Sequence, residues 1–400
     1  MKKPTKNVFF IGLLSFFGGI SQDIFAPILP LYLANVIGLD KAFIGISEGL
    51  VTSGASLFKI VSGFWVDKFG KKKPFIFLGY FLSMIARPLL AVISSAGGIL
   101  FLRFLDGIGK GLKDSPKDAL IADSSDASTR GKSFGIARML DTFGSVAGPL
   151  VLFLLLYILK DHPLQYQIIL VACAFPLLIT LTLLQTKVKE TSVKMVSGIV
   201  SAKTIPDTIF TARAIPKKFY IFLAIVLLFG IGNSSDAFLI LRAQDVGVTI
   251  LAIPLVFALF NAVYASASVP LGSLSDRIGR EKVILLGWCA YAIAYLGFGL
   301  ANASYQIWLL FAFYGLYYAT TYGVAKAFVA DMVPATHRGR AYGIYNTAIG
   351  LVSLPASFIA GLLWDRVSPS APFLFGAVLA ALATLCFIVF IMTQRRTSAS

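Results

Sequence analysis

The sequence predicts an all-α polytopic membrane protein with twelve transmembrane helices in two pseudo-symmetric six-helix bundles. Three observations predict it. The 400 residues are 57% hydrophobic and only 14% charged, where an ordinary soluble domain carries about 25% charged residues. Apolar runs recur along the whole length, each near the roughly 20 residues that a helical span needs, and they lack the alternation that a barrel would show. The two halves also repeat each other. Gly63-Phe64-Trp65-Val66-Asp67-Lys68-Phe69-Gly70-Lys71 returns as Gly272-Ser273-Leu274-Ser275-Asp276-Arg277-Ile278-Gly279-Arg280, and Ala122-Asp123 with Arg130-Gly131 returns as Ala330-Asp331 with Arg338-Gly339.

The spans fall at about 8–34, 42–66, 74–95, 98–121, 133–158, 165–186, 218–241, 247–273, 282–301, 305–330, 341–364 and 371–393, with ends uncertain by several residues. Residues 1–186 then form the N-terminal bundle, 187–217 a basic linker and 218–400 the C-terminal bundle. The net charge is +16. About 23 of the 35 Lys and Arg fall on the side of the termini, about 4 on the other side and about 8 within spans, the asymmetry of the positive-inside rule. The charge therefore reads as an orientation signal, with both termini cytoplasmic in a bacterial inner membrane, and not as nucleic-acid binding.

Span 1 follows Lys2, Lys3 and Lys6, which resembles a signal peptide. The apolar run continues past Asp23, Pro27 and Pro30 to Leu33 without a cleavage site, so it reads as a helix. Asp23 is the candidate proton site, because an ionisable group in mid-span marks function by default, and Asp236 is its counterpart in span 7. Structural readings of Asp23 are an ion pair or a hydrogen-bond site that bends the helix. Span 2 carries Glu48, Thr52, Lys59 and Ser62 on one face, and span 3 carries Arg87 before Pro88.

Span 4 organises the rest. Arg103, Asp106, Lys110, Lys113, Asp114 and Lys117 are spaced three, four, three, one and three apart. At about 100° per residue they fall within an arc of roughly 100°, while Phe101, Phe104, Leu105, Ile108 and Leu112 point away. A charge at the bilayer centre costs at least about 2.5–3.5 kcal/mol, so this ribbon should border a wet cavity or other charges. It reads as one wall of a solute pathway. The alternative is a salt-bridge zipper that touches no solute. Span 5 adds Arg138 and Asp141 as helical neighbours, with Gly144 and Gly148 as a small-residue contact pair.

The C-terminal spans carry Asp236 and Lys326, and span 10 shows Tyr314, Tyr318 and Tyr322 at steps of four. These rings either pack or line a cavity where they stack on or hydrogen-bond a solute. Cys173, Cys289 and Cys386 lie in separate apolar runs and form no metal pattern. His162 and His337 fall in loops, which leaves no histidine relay in the spans. No metal or other cofactor is expected.

The loop between spans 2 and 3 resembles the GxLxDRxGRxx signature of the major facilitator superfamily, with Lys68 and Lys71 in place of arginines. The copy between spans 8 and 9 is closer to that signature. Arg103-Phe104-Leu105-Asp106-Gly107 resembles the family's RxxQG pattern with Asp for Gln. Gly135, Gly144 and Gly148-Pro149 resemble its antiporter-associated pattern, but Leu152 and Phe153 stand where that pattern has glycines. The resemblance covers essentially the whole chain, and 109–123 looks like a group of bacterial permeases within the superfamily. It implies alternating access, with Gly63, Asp67, Gly70, Gly272, Asp276, Arg277, Gly279 and Arg280 as gating loops that latch an outward-facing state. Asp67 and Asp276 can each face the positive N-terminus of a neighbouring helix.

No Walker nucleotide loop and no HExxH occur, which argues against an ATP pump and an intramembrane hydrolase. No added soluble domain marks a receptor or scaffold. The expectation is a monomeric, proton-coupled carrier of a small anionic metabolite or chelate, favoured by the basic residues of spans 2–5. The alternative is a drug/proton antiporter.

Overall fold

The computed structural model describes residues 6–125, 130–191, 215–334 and 337–399. The helices are α1 (Lys6–Asn35), α2 (Lys41–Phe69), α3 (Lys73–Leu89), α4 (Ala96–Asp123), α5 (Arg130–Ile158), α6 (Gln165–Ala172), α7 (Ala174–Thr186), α8 (Lys217–Gly232), α9 (Ala237–Asp245), α10 (Ile253–Ile278), α11 (Arg280–Leu300), α12 (Ser304–Met332), α13 (Arg338–Arg366) and α14 (Ala371–Ala399). α6 with α7, and α8 with α9, each make one crossing, so these helices account for the twelve spans. Among the described residues, nine helical stretches are long and apolar enough to cross a membrane. The other three crossings are the short α3, the charged α4 and the tyrosine-rich α12.

Two spans expected to be continuous are broken. Span 6 breaks at Cys173, three residues before Pro176, whose ring clashes with a carbonyl of the preceding turn and which lacks an N–H to donate. Span 7 breaks across Asn233-Ser234-Ser235-Asp236. These residue types bond their own backbone in competition with a helix, and the amide of Ala237 donates to Ser235 Oγ at 3.3 Å. Span 8 begins six residues later than its expected start, at Ile253. Gly247, at φ 92, turns the chain after α9, and Pro254 takes the first turn of α10, where a missing N–H costs nothing. The 187–217 linker lies mostly outside the described residues. At its start, Glu190 accepts from the amides of Lys72 (3.1 Å) and Lys73 (2.8 Å) and so caps α3.

Within the N-terminal half, α1 packs on α5 and α7, and α4 on α2 and α3. Within the C-terminal half, α12 packs on α10 and α11, and α14 on α8 and α11. Two seams join the halves, α2 on α13 and α5 on α10. The repeat relates these seams to each other, since span 2 corresponds to span 8 and span 5 to span 11.

Twelve antiparallel crossings put both chain ends at one end of the molecule, the terminal end. At the opposite, far end the halves close on each other. Asp365, near the end of α13, accepts from the first two amides of α2, Lys41 (3.1 Å) and Ala42 (2.7 Å). Asn35 donates to Gln244 at 3.2 Å. Deeper along the seams, Ser53 donates to the Gly350 carbonyl at 2.8 Å and Asn261 to the Ser145 carbonyl at 3.0 Å. The backbones approach so closely that a methyl group on Gly45 would strike the Ser357 carbonyl, and one on Gly361 the Lys41 carbonyl. The terminal ends of the seams are looser, and Lys59, Arg138 and Tyr322 are exposed there.

Candidate functional site

Asp106 on α4 is the centre of a buried ion cluster. Arg87 Nε of α3 lies 3.3 Å from one carboxylate oxygen, and Arg103 Nη1 and Lys110 Nζ lie 3.6 and 3.5 Å from the other. Arg87 also donates to Ser21 Oγ and to Gln22 Oε1 of α1, each at 2.7 Å. Arg103 donates from Nη2 to Glu48 of α2 at 2.5 Å. Both guanidinium groups sit over the ring of Phe25, 4.9 and 5.3 Å from its centroid, where cation–π attraction offsets part of the lost hydration. Three cations thus oppose two carboxylates, which leaves one positive charge in excess. Burial of charge on this scale persists only when the groups pair with one another.

The ribbon on α4 grades from dry to wet. Side-chain exposure is 2% at Arg103, 0% at Asp106, 21% at Lys110 and 42% at Asp114. Phe101 and Phe104 turn outward on the other face of the helix. Neither expectation for the ribbon describes all of it: its far end is an ion-pair network, and its terminal end opens to solvent. Near the opening, Lys59 reaches Asp114 at 3.9 Å. Lys113 lies over the Tyr80 ring at 5.1 Å. Arg138 pairs with Asp141 at 3.0 Å and donates across the second seam to Tyr264, also at 3.0 Å.

Asp23 stands apart from the cluster. Its side chain packs against Gly148 of α5, beside Ser145, and among the described residues it forms no ion pair. Asp236, in the break between α8 and α9, likewise has no cationic partner there. It accepts from the hydroxyls of Tyr314 at 2.7 Å and Tyr318 at 3.2 Å. Tyr295 shares a 3.4 Å hydrogen bond with Ser234, and Tyr291 donates to the Gly232 carbonyl at 2.9 Å. The unwound segment is therefore held by tyrosine hydroxyls from α11 and α12.

Tyr322 and Lys326 are not part of the Asp236 site. A step of four residues advances about 400° on a helix, so the tyrosine row drifts about 40° per step. Tyr314 is fully buried at Asp236, while Tyr322 is 53% exposed near the opening, with Lys326 over its ring at 4.7 Å.

The gating loops turn as their glycines require, with φ 66 at Gly70 and 100 at Gly279. Gly63 faces Ser115 of α4, and Gly272 borders open space. Arg277 is exposed, and the side chain of Asp67 lies outside the described residues. Asp276 is exposed and reaches only Arg280, at 3.7 Å, among the described residues. Arg280 in turn pairs with Asp331 of α12 at 2.6 Å. In the first half Lys72, one residue beyond the repeat counterpart of Arg280, pairs with Asp123 of α4 at 2.6 Å, so each half carries an ion pair at a similar place. Among the described residues Asp276 makes no bond across the halves in this state.

Several contributors escaped the sequence reading. Ser21, Gln22, Phe25 and Tyr264 are uncharged and lie on apolar spans, and nothing local marks them. Arg242 and Asp365 fall at span ends, where charge reads as orientation. Arg242 is in fact buried, paired with Asp245, and donates to the carbonyls of Phe298 (3.0 Å) and Ala301 (2.9 Å) at the end of α11.

Comparison with known proteins places this geometry. The family profile described as Major Facilitator Superfamily matches residues 11–241 and 220–400. An uncharacterised MFS-type transporter of Methanocaldococcus jannaschii is 36% identical over 398 residues, which cover 97% of this chain and 95% of that one. The class C tetracycline resistance protein of Escherichia coli is 34% identical over 137 residues, 33% of each chain. The crystal structure of the nucleoside transporter NupG superposes with a TM-score of 0.80 at 14% identity and covers 96% of this chain and 99% of its own. At that identity the likeness is one of fold alone.

Proposed function

Because the chain belongs to the Major Facilitator Superfamily, we propose that it is a secondary active transporter that moves a small anionic metabolite or chelate by alternating access, coupled to protons. The observation that carries this reading is the Asp106 cluster. Arg87, Arg103 and Lys110 surround one carboxylate and leave a positive excess, and side-chain exposure along α4 rises from this cluster toward the terminal end. An anion entering there moves along Lys113, Lys59 and Arg138 toward fixed positive charge in a low-dielectric setting, where attraction is strongest. Asp23 and Asp236 carry the protons in this reading, since each is a mid-span carboxyl without an ion-pair partner among the described residues.

The basic excess at the terminal end supports placing that end in the cytoplasm of a bacterial inner membrane. The molecule described here is then open inward. It acts as a monomer in the bilayer, carries solute and protons, and performs no covalent chemistry.

A second reading has one observation in its favour. Asp236 ringed by Tyr314 and Tyr318 resembles a pocket for an organic cation, as a drug/proton antiporter would need. A thermal-shift screen of the purified protein separates the two, because a ligand that binds only the folded state raises the melting temperature. Carboxylates and phosphates should stabilise the protein while lipophilic cations do not; the opposite result moves the assignment to drug export.

A further inference from the structure

Glu48 occupies an unusual place in the ion cluster. One of its oxygens accepts from Arg103 Nη2 at 2.5 Å, and the other has no hydrogen bond among the described residues. Its side chain is 20% exposed, while that of Arg103 is 2% exposed. The carboxylate is therefore the more exposed partner of a buried guanidinium. Arg103 keeps two further donors, Nε and Nη1, without a hydrogen-bond partner among the described residues, and Asp106 at 3.6 Å is too distant to satisfy Nη1. A guanidinium presents a planar fork that suits two oxygens of one carboxylate, and here Glu48 engages only one branch of it.

We propose that Glu48 is a resident stand-in for the cargo: the carboxylate of the transported solute takes its place on the Arg103 fork, and Glu48 swings away into the passage. This inference rests on the anion-transport reading and names its recognition group. The charges around Glu48 fit the exchange. α4 presents Arg103, Asp106 and Lys110, the break before α9 presents Asp236, and α13 has no charged side chain between Arg340 and Asp365. Once Glu48 leaves, Arg87, Arg103 and Lys110 face Asp106 alone, and the receptor carries two positive charges for the incoming anion.

Chemical rescue tests this without knowledge of the cargo. Glu48→Ala should lower the melting temperature of the purified protein, and acetate or formate should restore most of the loss saturably. Chloride at equal ionic strength and tetramethylammonium should not. The double variant Glu48→Ala/Arg103→Gln should lose the rescue. No rescue, or equal rescue in the double variant, overturns the proposal. Should the alanine variant fail to fold, Glu48→Gln keeps the question open to test. Any carboxylate that stabilises the wild type should bind this variant about tenfold more tightly, a gain of about 1.4 kcal/mol; weaker binding means that Glu48 holds the cargo instead and overturns the proposal. If acetate rescues the variant but no anion stabilises the wild type, the anion-transport reading falls and the oxyanion receptor stands.

Discussion

Asp106 meets three cations within 3.6 Å, so its removal leaves uncompensated buried charge. Asp106→Asn should destabilise the fold by about 3–5 kcal/mol, read as a lower melting temperature or earlier chemical unfolding of the purified protein. Exposed Asp114, 3.9 Å from Lys59, should give less than about 1 kcal/mol on the same substitution. A reversed order of the two would refute the burial argument. Asp23 is expected to behave differently. Asp23→Asn removes no ion pair, so it should leave the melting temperature near that of the wild type while abolishing transport driven by a pH gradient in proteoliposomes; normal accumulation by this variant removes Asp23 from the proton path. At this scale the charged positions were legible, because a charge within an apolar run is conspicuous. Pairing within one helix, as between Arg138 and Asp141, was legible from the spacing; pairing between helices was not. Arg87 lies 19 residues from Asp106 and Ser21 lies 66 from Arg87, and no local pattern encodes contacts at such separations.

Among elements, the α2–α13 seam has the clearest polarity. Asp365 sits in the last turn of α13, where a negative charge opposes that helix's own dipole, and it meets the N-terminus of α2, where it is favoured. It therefore stabilises the closed far end specifically. Asp365→Ala should weaken closure by about 0.5–2 kcal/mol. Spin labels on exposed Val36 and Val367 should then report a larger fraction of long distances, and an unchanged distribution would show that the cap does not hold the gate. Helix type and order followed from apolar runs of span length and from the internal repeat. The breaks at Cys173 and at Asn233–Asp236 did not, because hydropathy averages over them. Pro176 and the Asn-Ser-Ser-Asp run are the visible causes, each of which a membrane helix often tolerates when neighbours satisfy the freed backbone groups. The tyrosine row misled for a related reason, since steps of four drift around a helix and separate Tyr314 from Tyr322.

Across the whole molecule, closure at the far end and exposure at the terminal end predict one-sided access. Lys59→Cys and Tyr322→Cys should react with a membrane-impermeant maleimide only from the side of the termini. A short bifunctional maleimide joining Asn35→Cys to Gln244→Cys should arrest transport, since those side chains meet at 3.2 Å across the two halves. Labelling from both sides, or turnover after joining, would show that the far end is not a gate. The similarly placed ion pairs Lys72–Asp123 and Arg280–Asp331 tie neighbouring crossings within each half, which favours motion of the halves as units. The surplus charge of the ion cluster has an electrical corollary. One elementary charge moved through the full field costs about 2.3 kcal/mol per 100 mV. With Asp23 and Asp236 ionised after proton release, the cluster's single positive excess leaves a vacant carrier with a net negative charge, whereas a monoanion and two bound protons make the loaded carrier neutral, so the return stroke should be voltage-sensitive and the loaded stroke nearly silent. A potential negative on the side of the termini would then repel the vacant carrier's charge from that side and make its return the electrogenic leg of the cycle.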